Sequence, residues 1–259
     1  MHLNPWLQDA LALILTVVAI QALVLINGVL QKREMLPTYI TRKIIHIFAA
    51  PIFVLCWMLY SGAAASRFFA AIVPLAFIIQ FAAIGFGWRK DEAFVKSMSR
   101  SGDPRELLGG TMHYAVVMLI AVLLFFTNGE KDVSFSPTAM FILGSLAGGD
   151  GLADIIGRRF GGKSFGIGDS TKTVAGSLAM FVGSALMSLA LLGVFMLRLP
   201  FGLKAFLLPA LLLSLLAAIV EALSPKGWDN YLIPLAVLVG ILLMARLTPG
   251  LWPFPVFAF

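Results

Sequence analysis

Two carboxylates four residues apart, Asp150 and Asp154, sit in the run Gly148-Gly149-Asp150-Gly151-Leu152-Ala153-Asp154-Ile155-Ile156-Gly157. On a helix that spacing puts both on one face, with Cβ atoms about 5–6 Å apart. Like charges so close repel unless a cation lies between them. Mg²⁺ is commonly held by one or two carboxylates completed by nucleotide phosphates. Gly148, Gly149 and Gly151 remove side-chain bulk and let a ligand approach the backbone. The competing account pairs both aspartates with Arg158 and Arg159, since Asp154 and Arg158 are themselves one turn apart. That account leaves the glycines unexplained.

Phosphate chemistry is the natural partner of such a pair, and basic residues come directly after it. Gly157-x-x-x-x-Gly162-Lys163-Ser164 matches the Walker A string, but a P-loop needs a strand before it and a helix after it. Here a hydrophobic segment of helical length comes first, so the string reads as a basic glycine turn that can cradle phosphate through exposed N–H groups, or as an ordinary loop. Lys172-Thr173 precedes a long apolar run. A lysine at a helix start opposes the helix dipole unless it serves an anion; the other reading is an anchor that snorkels to the interface. Arg42, Lys43 and His46 open another apolar run, as phosphate ligands or as topological anchors. Glu106 leads into a further one, as a base, an outer carboxylate or a solvated loop residue, and His113 beyond it reads as a packed histidine. Glu221 lies near the end of an apolar run and needs a partner. Asp229-Asn230 is placed to cap the next helix.

These residues need a scaffold, and the composition dictates it. The chain has 259 residues, 60% of them hydrophobic and 12% charged, with a mean hydropathy of +0.95. A soluble domain needs more polar surface than that, so the chain reads as an all-α, polytopic transmembrane helix bundle forming one integral membrane domain over residues 1–259. The single Cys56 excludes an intramolecular disulfide. The first apolar run lacks a basic leader and a clear cleavage site, and reads as a retained helix. About eight spans of roughly 20 apolar residues are expected, over 7–30, 44–60, 68–86, 110–127, 137–156, 172–197, 203–222 and 231–247.

Of the 19 Lys and Arg, only Arg67, Lys131, Arg198, Lys204 and Arg246 fall on the far side. The rest, from Lys32 and Arg33 to Lys226, collect in the loops after spans one, three, five and seven. The positive-inside rule makes those loops cytoplasmic and puts both termini outside. The acidic residues sort the same way except Asp9, Glu130 and Asp132, so the active site is expected on the cytoplasmic face. The formal net charge of +6 belongs with anionic headgroups and inside loops, not nucleic acid. The expected location is multi-pass in the cytoplasmic membrane of a prokaryote, or in an ER or plastid membrane if the source is eukaryotic.

Five segments in this order resemble the polyprenol kinase family: Arg42-Lys43-x-x-His46, Glu106-Leu107-Leu108-x-Gly110, Gly149-Asp150-x-x-Ala153-Asp154-x-x-Gly157, Lys172-Thr173-x-x-Gly176-Ser177, and Glu221 with Asp229-Asn230. The family includes phytol, farnesol and dolichol kinases and a CTP-dependent diacylglycerol kinase. The compact length looks closest to the phytol kinase branch. The resemblance implies transfer of the terminal phosphate of a nucleotide, CTP or another triphosphate, to the hydroxyl of an isoprenoid alcohol drawn from the bilayer. It implies Mg²⁺ on Asp150 and Asp154, and catalytic roles for Asp150, Lys172 and Glu106. Nucleotide or phosphate contacts are expected at Arg42, Lys43, His46, Gly149, Arg158, Lys163, Lys172, Thr173, Asp229 and Asn230. Two other functions stand beside it. CDP-lipid synthases share a glycine–aspartate core, but their Ser-x-x-Lys-Arg signature is not found here. An anionic-lipid transporter would more typically show mid-span polar residues or an inverted repeat, and neither is visible.

Overall fold

The computed structural model describes residues 3–129, 135–166, 170–199, 201–225 and 227–258. Glu130, Lys131, Asp132 and Lys226, which entered the orientation argument, lie outside the described residues. Among the described residues, eight helical spans are long and apolar enough to cross a membrane, as expected. They are built from α1 (Pro5–Lys32), α2 (Thr38–Cys56), α3 (Ser66–Gly85), α5 (Gly110–Phe125), α6 (Thr138–Gly144) continued by α7 (Asp150–Phe160), α8 (Val174–Phe195), α9 (Lys204–Leu223) and α10 (Asp229–Leu247). The long polar loop folds into α4 (Glu92–Met98) and a 3₁₀ turn over Pro104–Leu108. A two-residue antiparallel hairpin, β1 (Ser164–Phe165) and β2 (Lys172–Thr173), links α7 to α8.

Local chemistry sets the helix starts. The Asn4 side chain accepts from the Trp6 N–H at 2.9 Å, with Pro5 in the first turn, where its missing N–H costs nothing. Asp91 caps α4 through the Phe94 N–H at 3.1 Å, and Thr173 caps α8 through the Gly176 N–H at 3.1 Å. That last cap moves a boundary: Lys172, expected as the first residue of span six, lies outside the helix on β2. The expected cap of span eight also differs. Trp228 is the cap residue, without a side-chain bond, and Asp229 is the first helical residue, its Oδ1 accepting from the Asn230 N–H at 3.0 Å.

The fifth span is the central one. Buried residues make up 72% of its most apolar stretch, against 17–44% in the other spans. Between α6 and α7 the chain makes a π turn over Ser145–Gly149. One residue is added there without breaking the helix, a device that recurs at functional sites. The added residue rotates the next part of the helix about its axis, and that part begins with Asp150. Glycines bring this span against its neighbours. A Cβ on Gly149 would lie 2.2 Å from Ser184 Oγ, one on Gly151 2.2 Å from Ile47 Cγ1, and one on Gly183 2.5 Å from the Gly148 carbonyl oxygen. The glycines of the aspartate segment thus let helices touch, as small residues do in membrane bundles. Gly183→Val should destabilise the bundle by about 1–3 kcal/mol through overpacking. Gly193→Val on the same helix, with open space around it, should leave stability unchanged. Thermal midpoints in detergent check this, and equal midpoints for the two variants would refute it.

A smaller apolar cluster at the basic end, with Ile45, Phe81, Ile84, Val95, Met98, Leu107 and Ala115, pins α4 and the Pro104–Leu108 turn onto α2, α3 and α5. This is what fixes the loop carrying Arg100 and Glu106 beside the membrane helices.

Candidate active site

The polar segments converge on one chamber of about 820 Å³. One wall belongs to α2 and α7. Arg42, Lys43 and His46 occupy the first turns of α2, and the i,i+3 and i,i+4 spacings turn them toward α7. Lys43 Nζ lies 3.1 Å from Asp150 Oδ2 and 3.7 Å from Asp154 Oδ2, so one ammonium spans both carboxylates. Arg42 is 3.8 Å from Asp154 Oδ2, and Arg158 Nε donates to Asp154 Oδ1 at 2.7 Å. The Asp154–Arg158 pair anticipated as a competitor for metal therefore forms. Arg159 does not join it; its guanidinium lies over the Phe160 ring.

His46 Nε2 lies 3.1 Å from Asp150 Oδ2 and 3.1 Å from the Leu146 carbonyl oxygen inside the π turn. Both neighbours are acceptors, so Nε2 carries a hydrogen, and in the tautomer this selects the lone pair is on Nδ1. Tyr114 Oη donates to the His46 carbonyl at 2.7 Å, and its ring packs on the imidazole at 4.3 Å. Tyr114 gave no signal in the sequence; it is one aromatic in an apolar run.

The opposite wall belongs to β2, α9 and α10. Lys172 Nζ donates to Glu221 Oε1 and lies 3.5 Å from Asp229 Oδ2. Burial by itself pushes the Lys172 ammonium toward a lower pKa. The two carboxylates outweigh it and hold the group above the ordinary lysine value. Glu221 thus has the partner its depth demands, while its second oxygen, Oε2, is buried without a hydrogen bond. Thr173 and Asn230 also line the chamber.

Glu106 lines the chamber with both carboxylate oxygens engaged. The Arg100 N–H donates to one, and Ser101 Oγ donates to the other at 2.8 Å. It ties down its own loop. Two expected contacts lie elsewhere. Lys163 is exposed beside β1 and does not line the chamber, and Gly149 faces α8. The Walker-like string runs from helix α7 into a strand, the reverse of a P-loop. His113 packs its ring on Tyr231 at 4.5 Å. Arg100 lines the chamber and was read from sequence only as an inside charge. Among the described residues, no cluster of three or more His, Cys, Asp or Glu side chains is placed to hold a metal on protein donors alone.

No protein-family profile matches the chain, and no solved structure does. Curated sequences do match along most of its length. A probable chloroplastic phytol kinase of Triticum aestivum is 34% identical over 245 residues, covering 93% of this chain and 79% of that protein. Phytol kinase 1, chloroplastic, of Arabidopsis thaliana is 32% identical over 240 residues, 91% of this chain and 76% of its own. Farnesol kinase, chloroplastic, of the same plant is 35% identical over 223 residues, 83% and 69%. These names lend no support to the expected prokaryotic membrane. With identities of 32–35% over most of its length, the chain belongs to the polyprenol kinase family, in its phytol kinase branch.

Proposed function

We propose that this protein is a Mg²⁺-dependent lipid kinase that transfers the terminal phosphate of CTP, or of another nucleoside triphosphate, to the hydroxyl of an isoprenoid alcohol such as phytol or geranylgeraniol. One observation carries the reading. Asp150 and Asp154 face a single chamber with a cationic group on each wall, Lys43 with Arg42 and Lys172, and the chamber continues into an apolar interior.

The residues fit a Mg²⁺–phosphate complex. Two carboxylates fall short of a full oxygen shell, which suits an ion that takes its remaining ligands from phosphates and water. Asp154 Oδ2 is buried without a hydrogen bond and has only the longer contacts to Lys43 and Arg42. The lining pairs Arg42, Lys43, Arg100, Arg158 and Lys172 with Glu106, Asp150, Asp154, Glu221 and Asp229. Among the described residues the lining is formally neutral, so a triphosphate gains most by entering as its metal complex. Asp150 and Asp154 would hold the ion, which neutralises phosphate charge when bound.

Phosphoryl transfer depends mainly on positioning and charge neutralisation. The alcohol oxygen bonds to the terminal phosphorus as the bond to the bridging oxygen breaks, and a nucleoside diphosphate leaves. Lys43 and Lys172 flank that position and offset charge on the transferred group. We assign the hydroxyl proton to His46, which lines the chamber and whose ring Asp150 and the Leu146 carbonyl orient; Glu106, with both oxygens occupied, is the poorer base. We place the chamber mouth on the cytoplasmic or equivalent side, because the basic loops collect there.

Purified protein with Mg²⁺, offered CTP, ATP, GTP and UTP in turn, should phosphorylate phytol or geranylgeraniol with CTP or at least one of the others, releasing the nucleoside diphosphate. In proteoliposomes of known orientation, only nucleotide on the basic side should serve. Absence of lipid phosphate with every donor would overturn the kinase reading, and pyrophosphate release onto a lipid phosphate would point to the cytidylyltransferase.

A further inference from the structure

Beneath the charged rim the chamber has an apolar arm that the transfer step does not use. Its walls are Ile20 of α1, Ala49 of α2, Pro74 and Phe77 of α3, and Ala115 and Met118 of α5. Ala49 lies six residues below Lys43, and Met118 eight below Gly110. At 1.5 Å per residue those offsets are about 9 and 12 Å. One turn deeper, Phe53 and Val122 are fully buried at 0% exposure. The arm therefore ends blind instead of running through the bundle.

A blind apolar arm in a membrane protein works by shape. Lipid tails are as apolar as its walls, so moving a tail from the bilayer into the arm gains little from the hydrophobic effect. What the arm supplies is a length limit: a tail that fits leaves its hydroxyl at the rim, and a longer one holds the hydroxyl away from Lys43 and Lys172. The chamber as a whole is of ordinary size for a site enclosing a small ligand, and it must also take nucleotide phosphates. We infer that this arm gauges the alcohol's tail, favouring short prenyl chains over long polyprenyl ones, with Ala49 and Met118 as its floor. The inference rests on the kinase reading and adds to it the feature that selects the substrate. A groove between α8 and α9, lined by Leu178, Phe181, Leu211, Leu215 and Ala218, is the other apolar recess near the site. It is a shallow recess on the outer face of the bundle, with no floor to set a length.

The full chain in detergent should be given geraniol, geranylgeraniol, phytol and a long polyprenol, with kcat/KM measured for each. Ala49→Phe raises the floor and should lower the geranylgeraniol-to-geraniol ratio about tenfold or more, the scale on which apolar pockets discriminate. Met118→Ala deepens the arm, needs no room for added atoms, and should shift preference toward longer tails. Ala218→Phe in the outer groove should leave the ratios unchanged. Unaltered ratios in both arm variants, or a shift confined to Ala218→Phe, would overturn the gauge. A diazirine-tagged geranylgeranyl probe reads the arm independently of turnover. Adducts on Met118 or Phe77 support it even if the wild type phosphorylates nothing, a result that would sink only the kinase reading; adducts on Leu178 or Leu215 would overturn it.

Discussion

Asp150→Asn should abolish lipid phosphorylation, with kcat falling on the order of 10³-fold or more. Losing one preorganised polar partner of a transition state typically costs about 10²–10³, and Asp150 serves twice. It would supply a metal ligand, and it orients His46 through a 3.1 Å contact. Asparagine keeps the shape but not the charge, so Lys43 keeps its 3.5 Å bond to the backbone carbonyl of residue 150 and has Asp154, at 3.7 Å, as its remaining carboxylate. The fold should survive, because close contacts at Gly148, Gly149 and Gly157 hold the π turn and α7 to α8 whatever the charge at position 150. Asp154→Asn should be milder and read differently. Asp154 keeps Arg158 at 2.7 Å and touches no proton acceptor, so its loss should mainly raise the Mg²⁺ concentration needed for half-maximal rate. Wild-type turnover by Asp150→Asn, or an unchanged Mg²⁺ requirement in both variants, would remove the metal from the mechanism.

The parts of this site that sequence revealed are those whose physics is costly in lipid. Charges near the hydrocarbon region are rare because each costs roughly 2.5–3.5 kcal/mol on insertion scales. Asp150, Asp154, Lys172 and Glu221 stood out for that reason, and the long apolar runs marked the helices between them. Residues that cost nothing in lipid stayed silent. Phe77 and Met118 lie on helices that are apolar all round, where the side facing the chamber and the side facing the bilayer use the same residue types. No periodicity separates them. The π turn before Asp150 has no residue signature, so the contact between the Leu146 carbonyl and His46 was invisible. The glycines misled for a related reason. A glycine reports that something comes close, but not whether it is a ligand or a neighbouring helix, and here it is α8 and Ile47. Thr173 shows the converse: a capping residue whose bond to Gly176 fixed a helix start and so left Lys172 free to reach across to Glu221.

Lys172→Met should separate the catalytic from the structural side of that contact. The variant loses a cation at the phosphates, and activity should fall about 10²–10³-fold. It also strands Glu221, whose side chain is 4% exposed, and removing one partner of a buried ion pair costs about 3–5 kcal/mol. A neutral methionine of similar length keeps the packing, so the stability loss reports the uncompensated carboxylate. Adding Glu221→Gln should restore most of the stability by removing that charge, while leaving activity low because the cation is still absent. Full recovery of activity in the double variant would mean that Lys172 is only a structural counter-ion. The pH dependence carries a second check. The folded pKa of Lys172 is raised above the ordinary lysine value. Its stabilising contribution is therefore fully present below that ordinary value and is lost only as pH rises through the folded one. A fall in rate between about pH 6 and 9, well below that ordinary value, must then come from another group, and the profile of the double variant Lys172→Met with Glu221→Gln, scaled for its lower rate and free of the stranded carboxylate, should superimpose on the wild type across that window.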